Sequence, residues 1–114
     1  MYKLVESIGY IMTEQKRLKQ MEKYLEKKLV KAVKSVDGLA LKFVSPSYNG
    51  MPDRIVLMPK GKIGFVEIKD KGKKPRALQV LRHKQLSMLG FKVYVLDDAE
   101  QIEKIIKEIG SDDL

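Results

Sequence analysis

The sequence predicts an α/β domain of three layers, with helices on both faces of a central mixed β-sheet and elements in the order αβββαβα. Three observations carry this. The strand-like runs in the middle of the chain are apolar on both sides, with Ile55 and Leu57 on one and Val56 and Met58 on the other. Strands of that kind are covered by helices on both faces. A strand–helix–strand alternation over residues 63–96 implies a right-handed parallel crossover. A length of 114 residues, 44% of them hydrophobic, suits one compact domain.

From about Glu14 to Val36 the chain reads as a long amphipathic helix. Leu18, Met21, Leu25, Leu29, Ala32, Val33 and Val36 form its apolar stripe, and Lys16, Lys23, Lys27, Lys31 and Lys34 lie opposite. Thr13 is placed to cap its start, and Asp37-Gly38 stops it. Residues 1–13 read as an N-terminal extension, docked loosely or mobile, and residues 14–114 as the single folded domain. Leu39 to Val44 alternates as a strand, and Pro46–Gly50 is a dense turn signal. Arg54–Met58 and Ile63–Lys69 read as strands joined through Pro59–Lys62. A loop containing Gly72 leads to a helix over Ala77–Leu89, closed by Gly90. Lys92–Leu96 is the next strand. Asp97 or Asp98 caps a last helix with Ile102, Ile105, Ile106 and Ile109 on its face, and the tail from Ser111 is expected to fray.

Composition removes several kinds of chemistry. There is no cysteine, so disulfides, thiolate metal sites and thiol nucleophiles are out, and a cytoplasmic setting is the natural expectation. His83 is the single histidine and reads as an ordinary helix-surface residue, so a multi-histidine zinc centre within one chain is excluded. A metal would be held by oxygen ligands, which favours Mg²⁺ or Mn²⁺. No membrane span or signal peptide is expected, because the apolar run from Leu4 to Met12 is short and holds Glu6. The net charge of +8 favours a polyanionic partner, nucleic acid first among them. Basic residues concentrate between Lys60 and Lys84, against only Glu67 and Asp70. From these and the sheet edge come the candidate DNA contacts Lys42, Arg54, Lys71, Lys73, Lys74, Arg76 and Arg82. For Lys42 and Arg54, sheet-edge surface charge is an equal alternative; Tyr48 touches DNA or packs its loop.

Two strands carry the residues that bear chemistry. Asp53 precedes one, and Glu67-Ile68-Lys69 ends its hairpin partner. Glu67 and Lys69, two apart, point to the same face of a strand. A three-residue loop at Lys60-Gly61-Lys62, with Gly61 at positive φ, would set Asp53 opposite Lys69 and Ile55 opposite Glu67; an even loop would throw Asp53 to the wrong face. Two carboxylates and a lysine at one strand end suit phosphodiester hydrolysis. Asp53 and Glu67 would hold the cation with the Ile68 carbonyl and waters, and Lys69 would orient or deprotonate water or neutralise phosphate charge. Glu22 falls inside the apolar stripe of the first helix, where a bare carboxylate is costly. It must be paired with a lysine at the stripe edge, protonated, or bound to a metal.

Glu22-Lys-x-x-Glu-x-x-Leu, Ala40–Phe43, Gly50-Met-Pro-Asp-Arg54, Phe65-Val-Glu-Ile-Lys69, Gln79 and Leu89-Gly-Phe91 together resemble the VRR-NUC domain of the PD-(D/E)XK nuclease superfamily, over roughly Glu22 to Ile109. The resemblance implies a restriction-endonuclease-like core and catalytic Glu22, Asp53, Glu67 and Lys69, with Gln79 near them. It also implies a stand-alone phage or bacterial nuclease, similar to Holliday-junction resolvases in size and in pairing as a homodimer. The expectation is therefore a metal-dependent endonuclease acting on branched or structured DNA. The alternatives are a non-catalytic basic DNA-binding module and a restriction-type endonuclease of other specificity. Residues 1–13 lie outside what the family pattern needs.

Overall fold

A computed structural model describes residues 4–7 and 10–112 of the chain, with side chains from Thr13 onward. The elements are β1 (Leu4–Ser7), β2 (Tyr10–Thr13), α1 (Glu14–Ser35), β3 (Leu39–Lys42), β4 (Arg54–Met58), β5 (Lys62–Ile68), α2 (Ala77–Met88), β6 (Lys92–Leu96) and α3 (Ile102–Ile109). The main sheet runs β3-β4-β5-β6, antiparallel except for the parallel β5–β6 pair. Helices flank it, so the α/β/α expectation holds.

One side of the sheet carries the core. Leu25, Leu29 and Val33 of α1 and Ile102, Ile105 and Ile109 of α3 close over Ala40, Val56, Val66, Ile68 and Leu96. Alternation then turns Ile55, Phe65 and Glu67 to the opposite side, toward α2. The stripe of α1 is buried only in its middle and later turns. Met21 in its first half and Val36, just past its end, remain exposed.

Within the N-terminal extension, β1 and β2 pair antiparallel, Leu4 with Thr13 and Ser7 with Tyr10. Thr13 then caps α1, its Oγ1 accepting from the Lys16 N–H at 3.2 Å. At the other end Asp112 pairs with Lys62, and Lys92 donates to the Ser111 carbonyl, so residues 111–112 are tied down. Residues 113–114 lie outside the described part.

The β4–β5 hairpin is also corrected. Its three-residue turn is Pro59–Gly61, one residue earlier than expected, with Met58 opposite Lys62 and Arg54 opposite Val66. Gly61 takes positive φ (72°) as expected, but Lys60 joins it at 67°. Two consecutive left-handed residues close the turn sooner. Parity is kept, so the faces are right, and the register continued to the strand end sets Asp53 opposite Glu67 rather than Lys69.

Candidate active site

Glu67 sits at the end of β5 with only 1% of its surface exposed. Its Oε2 accepts from Gln79 Nε2 at 2.8 Å and lies 3.6 Å from Lys69 Nζ. Its Oε1 has no hydrogen-bond partner among the described residues. Burial pushes the carboxyl up to about 7, the neighbouring Asp53 charge adds to the rise, and Lys69 opposes it. Asp53 is exposed, and its Oδ2 accepts the Ile68 backbone N–H at 2.8 Å. The backbone of Asp53 is held too, its carbonyl accepting from the Phe43 N–H at 2.8 Å. Two carboxylates and an ammonium group therefore converge on one side of a strand end.

α2 supplies the wall. Gln79 is buried, its Oε1 accepting the Arg76 backbone N–H at 2.9 Å while its amide donates to Glu67. With both ends engaged the amide has one orientation. His83, four residues later on the same helix face, puts Nε2 4.0 Å from Glu67 Oε1. Its surface placement is corrected: Nε2 is buried with no hydrogen-bond partner among the described residues, and burial lowers the imidazole below its ordinary value. The next turn fastens the segment before Asp53. Arg82 Nε donates to the Asn49 carbonyl at 2.7 Å, its guanidinium lies 3.6 Å over the Tyr48 ring, and Tyr48 donates to Gln85 Oε1 at 3.1 Å. Gly50 passes so close that a Cβ there would meet Leu78 Cγ at 2.8 Å, and its φ is 89°.

Among the described residues no three Asp, Glu, His or Cys side chains group closely enough to form a cation cage unaided. The fit to a hard cation rests on the Asp53–Glu67 pair and the unpartnered Glu67 Oε1. An oxygen site of this kind is completed by backbone carbonyls, waters and substrate phosphate.

No protein-family model matches the sequence. A protein of Acyrthosiphon pisum secondary endosymbiont phage 1, described as "Putative nuclease p44", is 48% identical over 79 residues, which make up 69% of this chain and 85% of that protein. A solved structure described as a VRR_NUC domain superposes with a TM-score of 0.72 at 31% identity, covering 76% of this chain and 95% of its own. The chain belongs to the VRR-NUC family. It is a nuclease, and its substrate class is nucleic acid.

This VRR-NUC chain brings Asp53, Glu67, Lys69 and Gln79 together, with the Ile68 backbone between. Glu22 does not join them in a cation-holding group: it is half-buried on α1 and, among the described residues, has no hydrogen bond or ion pair, so no described lysine pairs with it at the stripe edge. Of the basic candidates, Arg54 is engaged internally, 2.8 Å from Glu26 and 3.3 Å from the Ala40 carbonyl. Arg82 is the clamp on Tyr48, which packs its loop. Lys71 lies 3.5 Å from Asp98. Lys42, Lys73, Lys74 and Arg76 are exposed, with no ion pair among the described residues. His83 and the Arg82–Tyr48 clamp escaped the sequence; the one signal for His83 was its spacing from Gln79.

Proposed function

We propose that this VRR-NUC chain is a Mg²⁺-dependent DNA endonuclease, selective for branched or structured DNA and active as a homodimer. Glu67 carries the proposal. A buried carboxylate beside a second carboxylate, with one oxygen left without a donor, has a physical reason to exist if the pair shares a cation. Asp53 and Glu67 would hold Mg²⁺ or Mn²⁺, with the Ile68 carbonyl and waters. The chemistry such an ion supplies is a polarised phosphoryl group and a more acidic water. Lys69, against Glu67, places a positive charge where it orients the attacking water or offsets charge developing on the phosphate. Gln79 holds Glu67 in place. Glu22, unpaired on α1, would join through water or serve a second ion.

The dimer is supported by an apolar surface. Leu39 and Leu41 of β3 and Ile63 of β5 lie on the α2 side of the sheet and stay exposed, at 56%, 45% and 37%. A patch of this kind suits a self-complementary contact between two copies. The test is cleavage of linear duplex, single-stranded, flap and four-way-junction DNA with Mg²⁺, with Mn²⁺ and with chelator, beside light scattering for the dimer. Asp53→Asn keeps an acceptor for the Ile68 N–H, so it should fold but not cut. No cleavage by the wild-type chain, or equal cleavage by Asp53→Asn, would sink the enzyme reading.

A further inference from the structure

A groove of about 500 Å³ runs between α1 and the edge strand β3. Lys23, Lys27, Lys31 and Lys34 line it from α1, and Lys42 faces them from β3. Spacings of four, four and three residues set the α1 lysines along one stripe, which spans about 16 Å of helix. None of the five has an ion pair among the described residues. The acid in the groove, Glu26, is already neutralised by Arg54, whose Nε is buried with no acceptor among the described residues. Lysines on a lone helix face usually point into solvent. Here helix and strand lysines flank a concave strip that has Val30 in its lining and no free acid.

The location decides what the strip is for. Lys42 pairs with Arg54, and Arg54 with Val66, so the groove lies on the α1 side of the sheet. Glu67 points to the α2 side, where Gln79 meets it. The carboxylate Glu67 and the groove therefore face opposite sides of the sheet. We propose that the groove seats the phosphate backbone of a second arm of the DNA substrate, while the arm being cut lies at the carboxylates. The proposal rests on the nuclease function argued above.

The test is equilibrium binding by fluorescence anisotropy in chelator, over a salt series. It compares the wild-type chain with Lys27→Ala/Lys31→Ala, on a four-way junction and on a linear duplex no longer than one arm pair. The expected result is an affinity loss of about tenfold or more on the junction, with the salt slope reduced by about 2. On the linear duplex the loss should stay below about twofold, since each removed phosphate contact counts only where the second arm exists. No loss on the junction, or the same loss on both DNAs, overturns the proposal. Binding in chelator is read without cleavage, so this failure is distinct from a failure of the wild-type chain to cut with Mg²⁺.

Discussion

Gln79 donates its side-chain amide to Glu67 at 2.8 Å while its own carbonyl oxygen accepts from the Arg76 backbone at 2.9 Å. One residue thus closes the start of α2 and holds the buried carboxylate. A donor fixed at both ends cannot rotate away when the charge on Glu67 changes, and that constraint leads to the first prediction.

Replacing Gln79 by Leu leaves both Glu67 oxygens without a neutral donor, and the carboxyl should titrate still higher. Losing a hydrogen bond to a buried charged group costs about 1.5–3 kcal/mol, so cleavage at neutral pH should fall by about 10- to 100-fold. The pH–rate profile should move to higher pH, and Gln79→Glu should be worse than Gln79→Leu because it adds a third carboxylate. An unchanged profile in Gln79→Leu would refute the assignment.

The raised Glu67 carboxyl has a consequence for stability without metal. Its folded value of about 7 lies above the ordinary 4.5, so the folded state holds its proton more tightly. The stabilisation is present below pH 4.5 and is lost as pH rises through 7, a change on the order of 3 kcal/mol. Glu67→Gln should remove this slope, and its thermal midpoint measured against wild type from pH 4 to 8 reads it. If Mg²⁺ binds at Asp53 and Glu67, it should raise the wild-type midpoint more at pH 8 than at pH 5.

Arg82→Ala should loosen the turn before Asp53 without touching either carboxylate. Cleavage should drop by about tenfold and the chain lose about 1–2 kcal/mol, in line with a cation–π contact and one hydrogen bond. Tyr48→Phe keeps the ring beneath the guanidinium and should cost under about 1 kcal/mol. Chemical denaturation and a steady-state assay on the same samples separate the two effects.

Glu26→Ala should destabilise the chain by about 1–3 kcal/mol, because Arg54 is left largely buried with only the Ala40 carbonyl. Glu26→Ala/Arg54→Met should recover much of that loss. A single variant as stable as wild type would show that the pair contributes nothing.

The sheet and the carboxylate pair were legible because alternation on a strand admits two faces only, and the apolar residues choose between them. The absolute register was not, since parity is indifferent to a shift of two. That shift came from Lys60, a residue with no sequence reason to adopt φ of 67°. α2 misled for a different cause. It buries Gln79 and turns His83 inward while Leu78, Val80 and Leu81 stay exposed, the reverse of an ordinary amphipathic helix. The strand end it covers carries the Glu67 carboxylate, so polar side chains face in. The N-terminal hairpin had a local signal, two four-residue runs around Ile8-Gly9, but such short strands give little periodicity to read.

The hairpin turn at Pro59–Gly61 lies about six residues, or roughly 20 Å, from the carboxylates. It nevertheless acts as a length gauge for them. Deleting one residue there would turn Asp53 or Glu67 through the sheet, and inserting two would keep both faces yet draw the acids apart by a full strand repeat. Insertional scanning should therefore find this solvent-exposed turn as intolerant as the catalytic end, although neither carboxylate lies in it.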